Sequence, residues 1–120
     1  MDELIGRLVA NCGIEQPVAE KAVAIILNFL KKDGPPDKVQ PLIDKLPGAE
    51  AFLASHPDEA SGMFSMGGVM GAGTKLMSAG LSMPQVQTVT KEIIAYAREK
   101  AGEDTVGEIV GAIPGLSQFV

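Results

Sequence analysis

The run Pro17 to Lys32 (PVAEKAVAIILNFLKK) limits what this chain can fold into more than any other stretch. Ala19, Ala22, Val23, Ile26, Phe29 and Leu30 recur at spacings of three and four, which stacks them on one stripe of an α-helix. Ile25 and Leu27 widen the stripe, leaving Glu20, Lys21, Asn28, Lys31 and Lys32 to meet water. A helix this apolar must be covered on most of its sides. Pro17 suits a first turn, where its missing N–H has no intrahelical acceptor to lose, and Gly34 followed by Pro35 and Pro36 ends the run.

The same phrase returns in weaker form from Pro84 to Lys100. Shifting the sequence by 67 positions lays residues 1–53 over 68–120 without a gap, with nine identities. They pair Gly6 with Gly73, Gly13 with Gly80, Pro17 with Pro84, Ile26 with Ile93, Asp37 with Asp104, Val39 with Val106, Pro47 with Pro114, Gly48 with Gly115 and Phe52 with Phe119. Most are turn-forming or core-type residues, and Leu42/Ile109, Ile43/Val110 and Leu46/Ile113 keep their apolar class. Two ordinary amphipathic hairpins with coincident Gly and Pro are the alternative. A unit of about 50 residues buries only a little over half of its surface, so two such copies are expected to share one core through their long helices.

The remaining stripes fill out each copy. Met1, Leu4, Ile5, Leu8, Val9 and Cys12 predict a first helix over Asp2 to Cys12, with early acids suited to the helix dipole and Gly13 as a stop. A short third helix is expected from about Asp37 to Leu46. Pro41 falls near its first turn if Asp37 is the N-cap, and kinks it if the helix starts at Pro36. After the Pro47-Gly48 break, Ala49 to Ser55 is again helical in pattern. In the second copy Ser82 and Gln85 form a capping-box pair ahead of a stripe of Val86, Val89, Ile93 and Tyr96, and Val106, Ile109, Val110 and Ile113 give the short helix.

The stretch from His56 to Gly73 is different. It holds five Gly and three of the six Met without a regular apolar period, and it reads as a linker. The expected organisation is thus a single domain over 1–120, with repeats 1–53 and 68–120 joined by a Gly/Met-rich linker at 54–67. The expected fold is all-α, a compact bundle of six to eight helices in two related halves.

With four Phe, one Tyr and no Trp, the core must come from Ala, Val, Ile, Leu and Met, which favours close-packed helices. A net charge of −5, with ten basic residues interleaved among acids, excludes a nucleic-acid surface. One cysteine, Cys12, rules out an internal disulfide. The N-terminal residues lack the basic and apolar regions of a secretory signal, and the weakly polar stretch Gly62 to Thr74 is too short for a transmembrane segment. A cytoplasmic protein is expected.

The order of these phrases, a long helix after Gly-Ile or Gly-Leu, then Leu46-Pro47-Gly48-Ala49, a Gly/Met-rich middle and a second long helix, resembles the small bacterial proteins of unknown function of the VcgC/VcgE type. The resemblance covers most of the chain. It implies an all-helical bacterial protein and supplies no catalytic residue.

Chemistry is thinly represented. His56 beside Asp58 and Glu59 has no second His or Cys nearby to complete a metal site. Cys12 lies at a helix C-terminus, where the dipole raises a thiol pKa rather than activating it. Gly67 to Gly73 lacks the Lys-Ser/Thr of a phosphate loop. No catalytic residue, metal or cofactor is expected. The distinctive group is Met63, Phe64, Met66, Met70 and Met77, with Met83 beyond, since methionine is common at adaptable apolar surfaces. These residues are the candidate binding site, and filling of gaps between the copies is the plainer alternative. The expected function is a non-enzymatic interaction or assembly module, as a homo-oligomer or with a protein partner. It would use the Gly/Met segment and the uncharged tail from Ile109 to Val120, whose Leu116, Phe119 and Val120 need a cover. A binder of a small, lipid-like apolar ligand between the long helices is the rival.

Overall fold

The apolar stripes become helices with well-marked ends. In a computed structural model that describes residues 2–46, 48–55, 68–113 and 115–119, they are α1 (Asp2–Cys12), α2 (Gln16–Asp33), α3 (Pro36–Lys45), α4 (Ala49–Ser55), α5 (Gly68–Ser78), α6 (Met83–Ala101) and α7 (Glu103–Ala112). A single 3-10 turn, Leu116–Phe119, follows. The fold is all-helical, and no strand occurs among the described residues.

One local expectation is corrected, and two that the sequence left open are decided. Residues 68–73, which their glycines mark as linker, form the first half of α5. The third helix starts at Pro36, so Pro41 lies inside it and cannot donate to the carbonyl of Asp37; both residues are exposed, and water can serve that carbonyl. Leu116 in the tail has the cover it needs and is buried, together with Ile109 and Ile113.

The helix ends follow from specific residues. Gly13 after α1 and Gly80 after α5 take φ of 66° and 112°, and Gly48 and Gly115 take 77° and 86° at the turns before α4 and the 3-10 turn. These are left-handed values that side chains with a Cβ rarely adopt. At the start of α6 the Gln85 Oε1 accepts from the Ser82 N–H at 3.0 Å and from its hydroxyl at 3.2 Å. Gly34 closes α2 by donating its N–H to the Leu30 carbonyl at 2.8 Å.

At about 1.5 Å per residue, α2 and α6 are each about 27 Å long. They therefore cross most of a body measuring 31 × 31 × 28 Å and organise everything else. α1 lies on both α2 and α6, and α5 on both α2 and α6. α3 packs on α7 and α6, α7 on α6, α4 on α2 and α3, and the 3-10 turn on α7 and α6. The resulting core is continuous. Leu8, Leu27, Leu30, Leu42, Ile93, Ile94 and Ile109 are among its fully buried side chains, and Tyr96 is the largest.

Candidate functional site

Two regions bring together the side chains most relevant to function. The first is an apolar cleft between the long helices, walled by Ile26 and Phe29 of α2, Val86 and Thr90 of α6, Ala72, Gly73 and Leu76 of α5, and Leu116 of the 3-10 turn. It exists because α5 brings small residues to this junction: Ala72 and Gly73 stop short of the wall that α2 and α6 present. Its free volume is about 20 Å³. That is room for roughly one water molecule, which needs about 10–15 Å³, and not for a hydrocarbon chain.

Thr90 is the buried polar residue of the wall, and its hydroxyl donates to the Val86 carbonyl one turn back at 2.8 Å. Among the described residues no buried side-chain nitrogen or oxygen lacks a hydrogen-bond partner. The wall therefore offers shape and apolar surface, with no acid, base or nucleophile facing it.

The second region is a charged seam between α1 and α6. Arg7 Nη1 donates to Glu99 Oε2 at 2.7 Å, Arg7 Nη2 lies 3.5 Å from Glu92 Oε2, and Lys100 Nζ lies 3.8 Å from Glu3 Oε2. The Arg7 guanidinium and the Lys100 ammonium also sit 5.6 and 5.5 Å from the centre of the buried Tyr96 ring, within cation–π range. The hydrogen bond to Glu99 raises the Arg7 pKa, so the guanidinium stays charged. Lys38 Nζ makes a similar tie from α3 to Glu108 Oε2 of α7 at 2.9 Å, which raises its pKa. Each of these cations has carboxylate partners within the fold, so the seam works as a fastening.

Cys12, half-buried against the core, has its thiol pKa pushed up by burial first and by the Glu92 charge second. It stays protonated at neutral pH and is a poor nucleophile. Among the described residues no three His, Cys, Asp or Glu side chains converge as metal ligands, and no helix is long and apolar enough to cross a membrane.

Of the binding residues expected from the sequence, Met63, Phe64 and Met66 lie outside the described residues, as does His56. Met70 falls on α5 with its side chain outside the described part. Met77 is on α5, 50% exposed and not part of the cleft wall, and Met83 opens α6 at 54% exposure. The cleft residues carried only a faint signal in the sequence: Ala72 stands where the 67-residue shift puts Ile5, a loss of volume at an apolar position. Compared with known proteins, the chain matches no family model, no curated protein and no solved structure.

Proposed function

We propose that the chain is a non-enzymatic assembly module, built from two related helical units and pairing with a second copy of itself through apolar side chains around the α5–α6 corner. The observation that carries this is where large apolar side chains stay in water. Among the described residues these are Val9, Met77 and Met83, and the two methionines flank the turn at 79–82 with about half of their surface exposed. Methionine suits such a contact because it is flexible and polarizable.

The relation between the units is supported by positions that repeat at the same offset. Met83 opens α6 67 positions after Gln16 opens α2, and Glu103 opens α7 67 positions after Pro36 opens α3. Hydrogen bonds recur likewise: Ala19 N–H to Glu15 at 2.9 Å and Val86 N–H to Ser82 at 2.8 Å, then Leu46 to Ile43 at 3.1 Å and Ile113 to Val110 at 3.3 Å. Equal backbone contacts at equal spacing fit a duplicated unit better than two unrelated hairpins. Kinship with the VcgC/VcgE type rests on the Gly, Pro and apolar phrases alone.

A second reading, a binder of a small apolar ligand between the long helices, draws on the apolar wall that α2 and α6 share, although the closed cleft of about 20 Å³ must widen to admit one. Native mass spectrometry of the purified chain separates the two. A concentration-dependent doubling of mass, lost in the Met77→Lys, Met83→Lys double variant, supports assembly. A monomer carrying an added mass of a few hundred daltons refutes assembly and supports the ligand.

A further inference from the structure

We infer that α5 is a displaceable cover: in the native protein it undocks from α2 and α6 as a unit and exposes the cleft, whereas α1, which also packs on both long helices, stays down. The contrast is written in what each helix inserts. α1 buries Leu4, Ile5 and Leu8. At the positions 67 further on, α5 has Gly71, Ala72 and Lys75, so its one large buried side chain among those described is Leu76.

The weakness is also internal to the helix. Gly68, Gly71 and Gly73 fall within α5, and glycine is the least favourable helix residue after proline. A Cβ placed on Gly73 would meet nothing within 4 Å, so the helix gives up both rigidity and contact at a point where there was room for more. Local opening is expected where buried apolar contact is sparse and helix propensity low. Undocking uncovers Ile26, Phe29, Val86 and Leu116, an apolar surface larger than the closed cleft can offer. The inference stands on burial and glycine content, and it does not depend on what the cleft accepts or on how the chain assembles.

Native-state hydrogen exchange on the full chain tests it, with two variants. In the wild type the α5 amides exchange faster than those of α1, α2 and α6. Ile43→Val, on α3 and away from the cleft, speeds the slowest amides of α2 and α6 about two- to tenfold by lowering global stability. It leaves the α5 amides unchanged, because their opening does not pass through global unfolding. Gly73→Ala slows α5 exchange about fivefold by restoring helix propensity. Exchange of α5 in step with α2 and α6 in both the wild type and Ile43→Val, or opening of α1 ahead of α5, overturns the inference.

Discussion

Replacing Gly34 by alanine will destabilise the fold far more than the same change at an open helical glycine such as Gly6, although its backbone angles are ordinary. Gly34 ends α2 with φ of −84° and ψ of 163°, so conformational strain is not the issue. The space is. A Cβ there would lie 2.6 Å from the Leu30 carbonyl oxygen, 2.7 Å from Val39 Cγ2 and 3.5 Å from Ile113 Cδ1. The first contact is with backbone and the second with a buried β-branched residue, so neither can step aside cheaply. Forcing extra volume into a packed site costs about 1–3 kcal/mol. Moving the chain to make room also strains the bond from the Gly34 N–H to Leu30, worth about 1 kcal/mol. Together these give a loss of about 2–4 kcal/mol, or about 8–16 °C in Tm for a domain of this size. Urea and thermal unfolding followed by circular dichroism measure it, with Gly6→Ala as the control, since a Cβ at Gly6 meets nothing within 4 Å. A Gly34→Ala protein within about 0.5 kcal/mol of wild type, the usual range for a neutral surface change, would refute the packing at this corner.

Two further outcomes follow from the seam. Arg7→Ala removes the ties to Glu92 and Glu99 and one cation from the Tyr96 ring, and should cost about 1 kcal/mol at low ionic strength, shrinking in high salt because the pairs are partly exposed; unfolding at two salt concentrations checks it. Burial raises the Cys12 thiol pKa, so alkylation by iodoacetamide should reach half of its limiting rate at a higher pH than in a free peptide. The folded state then holds a proton that the unfolded chain releases, so stability should fall as pH rises past the ordinary thiol value, and this fall should vanish in Cys12→Ala.

The helices were legible wherever one periodic stripe decided the local structure. Asp2–Cys12 and Ala49–Ser55 match the expected bounds, and α2 extends one residue beyond each end of the Pro17–Lys32 run. The failures have physical causes. Residues 68–73 read as linker because glycine lowers helix propensity, yet packing of α5 against α2 and α6 holds them helical. What covers Leu116 could not be read from a short tail; the 3-10 turn folds back onto α6 and α7 and buries it. The seam was not legible, and the cleft only faintly, through the loss of volume at Ala72. Thr90 and Ala72, or Arg7 and Glu99, meet only through the crossing of distant helices, and no spacing along the chain announces it.

Cooperativity of unfolding tests most directly whether the helices within 2–55 and those within 83–119 form one inseparable core, with α1 seated on α6 and α3 on α7. Tyr96, the sole tyrosine, reports from α6, and a Phe52→Trp variant reports from α4, where Phe52 is half-buried against the core. The two fluorescence signals should follow a single, coincident urea transition with equal midpoints and slopes. Two separated transitions, one for each reporter, would contradict the shared core.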